Sequence, residues 1–432
     1  MAKVIPFRGV RYNLAKIGDP AAVVTPPYDV IDSAAQKKYY ERHPFNMIRL
    51  ELGYQFPTDN EADNRYLRAA RDYRNWLAEG ILVQEAEDAI YLYEQEFSVA
   101  GQTYRRTGFF ARVQLEDYQS GAIRPHEETL AKPKADRLAL MHTCQANFSP
   151  VFALYEDPAV QLEEEFEKVK KITPEIELTD EVGERHRVWV LTKGEIHENV
   201  TASLADKVLY IADGHHRYET ALAFYEATKE KYPGAAYILM YLVNTRDPGL
   251  VILPTHRIVR NLRELDLPLF KDQLEQDFLV QKIAFPAPEQ IQQILSKQQE
   301  EGRAAFIMAT REPAAYLLIV KNPGKVKTLA PHMSAAWCSL DVTALHILIF
   351  QELLGIGPEK MSHQENLTYT RDEKEAVRIF LEEEGQLVFF LNPTRIEQVT
   401  AVAAAGDKMP QKSTYFYPKL LTGLILNDLT VQ

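Results

Sequence analysis

Asp213-Gly214-His215-His216-Arg217 follows directly on an apolar run, Val208 to Ala212. The run reads as a buried strand and the Asp-Gly pair as a tight turn, and beyond it Tyr218, Leu222 and Tyr225 recur at helical spacing. At such a junction the first-turn N–H groups have no partner in their own helix and point outward with the positive end of the macrodipole, which makes a seat for an anion. Gly214 permits a left-handed backbone or close ligand approach, while His215, His216 and Arg217 add donors and positive charge suited to phosphate oxygens. Asp213, at the strand's carboxyl end, can orient a substrate hydroxyl or hold a magnesium ion. These types at this spacing suggest a nucleotide-phosphate site, with an Asp-Gly turn and solvated helix charges as the plain structural alternative.

A second set lies upstream, where Pro125-His126-Glu127-Glu128-Thr129 is followed by Lys132, Lys134, Asp136 and Arg137. A carboxylate beside His126, with cations shortly downstream, suits a general base whose neighbours stabilise transferring phosphate charge. It is not a zinc motif, because Thr129 stands where a helical His-Glu-x-x-His site needs its second histidine. The structural alternative puts Glu127 and Glu128 in the acidic first turn of a helix beginning near Pro125.

Three further stretches offer ligand contacts. Pro26 and Pro27 make a stiff extended segment that can hold Tyr28 and Asp29 against a ligand. His256 and Arg257 close a short strand and can reach the same anion, or pair at the surface. Met409 to Lys419 mixes hydroxyl, aromatic and cationic groups without an amphipathic period, so it reads as a binding loop, through Lys412 and Ser413, that folds back on the site.

The elements that must position these residues form a mixed α/β pattern. Helices are expected at 33–42, 61–87, 159–171, 198–205, 287–301, 341–355 and 371–383. Strands are expected at 89–97 and 104–113, joined by a Gly101-Gln102 turn, and at 148–155, 188–191, 235–243, 250–253, 304–309, 315–320 and 386–391. The fold class is α+β, with an amino-terminal elaboration over 1–107, a catalytic core over 108–261 and a carboxyl-terminal α+β domain over 262–432. With 432 residues, 46% hydrophobic and 25% charged, the chain has ample length for a sizeable core. The net charge of -12 repels polyphosphate backbones, so nucleic acid is not an expected partner. No apolar run approaches the ~20 residues that span a bilayer, no signal peptide opens the chain, and a cytoplasmic protein with no membrane partner is expected. Cys144 and Cys338 stand far apart, without metal-ligand or redox spacing.

Taken together, Pro26-Pro27-Tyr28-Asp29-Val30, His126-Glu127-x-Thr129, Lys134-x-Asp136-Arg137, Asp213-Gly214-His215-His216-Arg217 and Lys412-Ser413-Thr414-Tyr415-Phe416 resemble the domain-of-unknown-function family one-thousand-fifteen over essentially the whole chain. More distantly, Pro125-His126-Glu127 with Asp213 to Arg217 looks like the active-site pair of free serine kinases in the ParB/sulfiredoxin superfamily. That resemblance implies a ParB/sulfiredoxin-like core and magnesium-dependent phosphoryl transfer from ATP or ADP to free L-serine or a similar small hydroxylated metabolite. Glu127 would be the base, with His126 beside it. Asp213 would place magnesium or the hydroxyl, and Gly214, His215, His216 and Arg217, with Lys134 and Arg137, would hold the nucleotide. Tyr28, Asp29, Thr129, His256, Arg257, Lys412 and Ser413 would face the substrate. The two motifs are farther apart here than in the compact kinases, with an insertion around 150 to 205, so the acceptor can differ from serine.

The alternative is a nucleotide-binding switch of the ParB type without metabolite kinase activity. A sulfiredoxin-like transfer is disfavoured, because His215 stands where a reactive cysteine is expected. The sequence leaves the oligomeric state open, a homo-oligomer included.

Overall fold

The computed structural model describes residues 1–383 and 385–431. Contacts divide the chain into two compact units, the first made of Met1–Pro125, Thr129–Val251 and Pro418–Gln432, the second of His126–Glu128 and Ile252–Tyr417. The second is therefore inserted into the first, whereas the sequence reading places joints at 107/108 and 261/262.

In the first unit the elements that frame the sheet and the site include α1 (Ser33–Arg42), α2 (Arg65–Ala78), β1 (Ile90–Val99), β2 (Gln102–Gln114), β3 (Ile123–Arg124), α3 (Ala131–Cys144), β4 (Val151–Tyr155), β5 (Ile176–Thr179), β6 (Arg185–Leu191), β7 (Leu209–Asp213), α4 (His215–Thr228) and β8 (Tyr237–Asn244), with further helices at Glu163–Val169 and Gly194–Leu204. The strands form one sheet in the order β3-β7-β4-β8-β2-β1-β6-β5, with Val4–Ile5 pairing on β2. β3 with β7 and β4 with β8 are parallel, and the remaining pairs are antiparallel.

The β1–β2 hairpin turns through Ala100 (φ 50°) and Gly101 (φ 80°), one residue before the expected turn. Positive φ at both central positions is the two-residue turn whose twist matches the flanking strands. Both sheet faces are covered, which is why β1 is buried from Ile90 to Gln95 instead of alternating. On one face Leu92, Phe109, Trp189 and Met240 pack with Tyr218, Ala221 and Phe224 of α4. On the other, Tyr93, Phe110, Phe152 and Tyr241 form an aromatic layer with centroid spacings of 5.2–5.5 Å. Burying each such large side chain is worth roughly 1.5–3 kcal/mol.

Several elements are shorter than their patterns suggest. The expected 61–87 helix ends at Ala78, because Gly80 adopts φ 66° and Leu82–Gln84 leaves to pair with Val10–Tyr12. Its stripe of Ala69, Tyr73 and Trp76 is buried as the spacing predicts. Pro26 and Pro27 lead into a 3₁₀ turn over Tyr28–Val30 in place of a fully extended segment. Asp32 caps α1, its carboxylate accepting the Ala35 amide at 2.8 Å.

The second unit contains β9 (His256–Val259), β10 (Phe278–Ala284), α5 (Pro288–Glu300), β11 (Ala305–Ala309), β12 (Ala314–Val320), β13 (Leu367–Thr370), α6 (Glu373–Glu382) and β14 (Leu387–Phe390). Its antiparallel sheet runs β10-β12-β11-β14-β9-β13. Ile291 and Leu295 of α5 and Ala376, Ile379 and Phe380 of α6 cover a face lined by Ile258, Ile307, Leu317 and Phe390. The expected 341–355 helix is one α turn, Asp341–Ala344, continued by a wide π-helical stretch, Leu345–Gln351. Both units are α+β. Among the described residues no helix is long and apolar enough to cross a membrane.

Candidate functional site

The junction of β7 and α4 is built as the sequence predicts. Gly214 sits at φ 92°, where a side chain is strained, and an added Cβ would meet Arg217 Nε at 3.0 Å. Asp213 ends the strand, and its Oδ1 accepts the Gly214 amide at 2.8 Å. Lys419 Nζ donates to Asp213 Oδ2 at 2.9 Å, and Arg217 Nη2 lies 3.8 Å from Oδ1. Burial pushes the Asp213 carboxyl up, but Lys419, Arg217 and His215 outweigh it and hold the group well below the usual carboxylate range.

Lys419 is held in place by its own backbone. Gln95 donates to the Lys419 carbonyl at 3.3 Å, and Arg106 donates to the Pro418 carbonyl at 2.6 Å. A carboxylate already ringed by these cations does not fit a magnesium ion, which needs oxygen ligands and uncompensated negative charge. The set suits an anion.

In α4 the first amide to find a helical carbonyl is that of Tyr218, bonded to Gly214 at 2.9 Å, so the amides before it have no acceptor within their helix. His216 Nε2 accepts the Leu130 amide at 2.8 Å, which leaves the proton of a neutral ring on Nδ1. Burial lowers the His216 pKa and prevails over the opposing Glu219 and Asp29 carboxylates. Thr129 Oγ1 donates to Glu219 at 2.6 Å, and Lys134 Nζ reaches the same oxygen at 3.0 Å. Thr129, Lys134 and His216 thus gather at the start of α4.

Arg137 is differently employed. It is 6% exposed and donates to Glu51 at 3.0 and 3.1 Å and to Asp136 at 2.6 and 2.8 Å. The Tyr28 ring lies 4.0 Å from its guanidinium, and burial pushes the Tyr28 hydroxyl up to about 12 against the pull of Arg137 and Arg217. Arg217 is likewise buried and donates to the Pro150 carbonyl. Both guanidinium groups are spent on protein partners.

Apart from Asp29, which lies in the Tyr28–Val30 turn of the first unit, the remaining candidates belong to the second unit. No helix begins near Pro125, since α3 starts only at Ala131, so Glu127 and Glu128 stand in irregular chain. His126 is buried, with Nε2 3.0 Å from Thr414 Oγ1 and its carbonyl accepting the Met409 amide at 2.8 Å. Glu128 pairs with Lys408 at 3.0 Å. Glu127 is half-buried.

His256 is fully buried against Phe390, its Nδ1 facing the Leu391 amide at 3.4 Å. Arg257, 1% exposed, donates to the Lys412 carbonyl at 2.9 Å and to the Thr255 carbonyl, and burial pulls its pKa down to about 10. Ser413 is buried with its hydroxyl on the Pro410 carbonyl. His256, Arg257 and Ser413 are thus committed inside their own unit. Lys419 is the residue that sequence reasoning missed. Its only signal was a cation directly after Pro418 at the end of the terminal stretch. A cavity of about 680 Å³ elsewhere in the first unit, lined in part by Tyr155, Phe166, Trp189 and Lys170, shares no residue with this site.

Residues 4–343 match the model of the protein family of unknown function DUF1015. The chain belongs to that family. No curated protein matches it. Among solved structures, a free serine kinase in complex with AMP is similar at a TM-score of 0.36 and 14% identity, covering 75% of this chain and 92% of the other. A conserved hypothetical protein from Pyrococcus furiosus gives 0.34 and 14%, covering 72% and 92%. SbnI with a carboxyl-terminal truncation, from Staphylococcus aureus, gives 0.32 and 10%, covering 72% and 85%.

Proposed function

We propose that this DUF1015 protein is a phosphotransferase that moves a phosphoryl group from ATP or ADP to the hydroxyl of a small metabolite, with free L-serine the first acceptor to test. The observation that supports the reading is the β7–Gly214–α4 junction. A left-handed glycine opens a helix whose first amides point outward, with His216 and Lys134 beside them.

In this reading the nucleotide phosphates lie on the α4 amino terminus, and the Nδ1–H of neutral His216 donates to a phosphate oxygen. Asp213, kept ionised, accepts from the acceptor hydroxyl and orients it. Glu127 takes the hydroxyl proton as oxygen attacks phosphorus and the bond to the leaving nucleotide breaks. Phosphoryl transfer asks mainly for positioning and charge neutralisation, and positioning alone can supply ~7–11 kcal/mol.

The test is incubation of the full chain with ATP or ADP, in buffer containing magnesium, and a pool of free hydroxy-amino acids and small alcohols, read by mass spectrometry. Phosphoserine, or another phosphorylated acceptor, is the expected product. Glu127→Gln should keep nucleotide binding and lose roughly 10²–10⁴-fold in turnover. Nucleotide binding without product from any acceptor would replace the kinase by the switch, and unchanged turnover in Glu127→Gln would reject Glu127 as the base.

A further inference from the structure

At the far end of the sheet from β7, the hairpin joining β5 to β6 carries Asp180, Glu184 and His186. Their ligand-type atoms lie within 4.8 Å of one another, and His186 and Glu184 are 1% and 6% exposed. None of the three belongs to the phosphate site.

The hairpin is shaped to aim these groups. The Asp180 amide donates to the Glu184 carbonyl at 2.9 Å, and Asp180 Oδ1 accepts the amides of Val182 at 3.0 Å and Glu184 at 2.9 Å. One carboxylate oxygen is spent on the turn, and the other, Oδ2, faces His186 Nε2 at 3.5 Å. His186 Nδ1 is 2.7 Å from the hydroxyl of Tyr93, which is itself fully buried. Nε2 is buried and makes no hydrogen bond. If Nδ1–H donates to Tyr93, the Nε2 lone pair points at a carboxylate oxygen, a repulsion that a cation between them reverses. Glu181, in the same turn, is not available to help, because Lys38, Tyr39 and Arg42 hold it.

We propose that Asp180 Oδ2, Glu184 and His186 Nε2 bind a divalent cation of the zinc class, with water in the fourth position. One imidazole and two carboxylates suit such a borderline ion, and the 3.5 Å separation of Asp180 and His186 is close to the ~3.3 Å edge of a tetrahedron with ~2.0 Å bonds. The Tyr93 hydroxyl on Nδ1 is the outer partner that fixes the ring of a metal-bound histidine. The ion staples the β5–β6 turn.

The test is metal content. The full chain is stripped with a chelator, exposed to Zn2+, passed through gel filtration and analysed by mass spectrometry. A parallel sample takes Co2+ and is read by its visible absorption. One zinc retained per chain, a tetrahedral cobalt spectrum and a higher urea midpoint with Zn2+ are expected. Asp180→Asn, which keeps the Oδ1 acceptor of the turn, and His186→Ala should each lose the retained zinc and the shift in midpoint. Tyr93→Phe should weaken zinc roughly 10–100-fold. Far-UV circular dichroism of the stripped variants, matching stripped wild type, shows that they fold. Wild-type protein that retains no zinc, or folded variants that retain as much as wild type, would leave a plain His186–Asp180 ion pair and overturn the proposal.

Discussion

Lys419 and Asp213 stand 206 positions apart in the chain, and Lys419 Nζ meets Asp213 Oδ2 at 2.9 Å. Both side chains are largely screened from solvent, at 16% and 19% exposure, so neither is easily replaced by water. We expect Lys419→Ala to cost about 1–3 kcal/mol at neutral pH, read by urea unfolding. A cost near zero would mean the pair contributes nothing measurable.

The same pair sets an acid limit. The folded pKa of Asp213 is depressed below its unfolded value, near ~3.9. Its stabilising contribution is therefore fully present above that value and is lost as pH falls through the folded pKa. Urea midpoints measured from pH 5 downward should fall less steeply in Lys419→Ala than in wild type. Equal slopes would show that Asp213 does not titrate with this partner.

Gly214→Ala places a Cβ 3.0 Å from Arg217 Nε in a left-handed backbone. The expected loss is about 1–2 kcal/mol, with weakened nucleotide binding by calorimetry because the α4 amides are displaced. A variant that binds nucleotide as wild type does would sever the glycine from the anion seat.

Arg137 lies between Glu51, 2% exposed, and Asp136. Arg137→Ala leaves a buried carboxylate unpaired and should cost about 3–5 kcal/mol by urea unfolding. If Arg137 contacts nucleotide instead, affinity will fall while stability stays level.

In the second unit, burial pushes the Asp341 carboxyl up to about 7, against Arg395 and Asn392, and its Oδ2 has no hydrogen-bond partner. A carboxyl raised in the folded state costs stability once ionised, so the cost grows as pH rises from the unfolded pKa of ~3.9 to the folded value and is complete above it. Asp341→Asn should gain about 1 kcal/mol at pH 8 and nothing near pH 4. A gain that does not change with pH would point to packing.

Local patterns made much of this legible. The strand, Asp-Gly and helix around residues 208–225 were readable because each step has its own short-range signal, and α5 and β11 followed from period and length. What stayed hidden depends on distant partners. Nothing near Lys419 names Asp213, and nothing near Arg137 shows that Glu51 will bury it. His256 and Arg257 carry the residue types of an anion site, yet β13 and β14 flank them on either side and enclose them.

Because Ile252–Tyr417 is inserted between two parts of the first unit, synthesis has a fixed order of completion. A ribosome releases β7 and α4 more than a hundred and fifty residues before Lys419 emerges. Until then the Asp213 carboxylate has no lysine across from it, however well the sheet around it has formed. A chain cut short anywhere in the insertion lacks Lys419, so the sheet forms with its anion seat unbalanced.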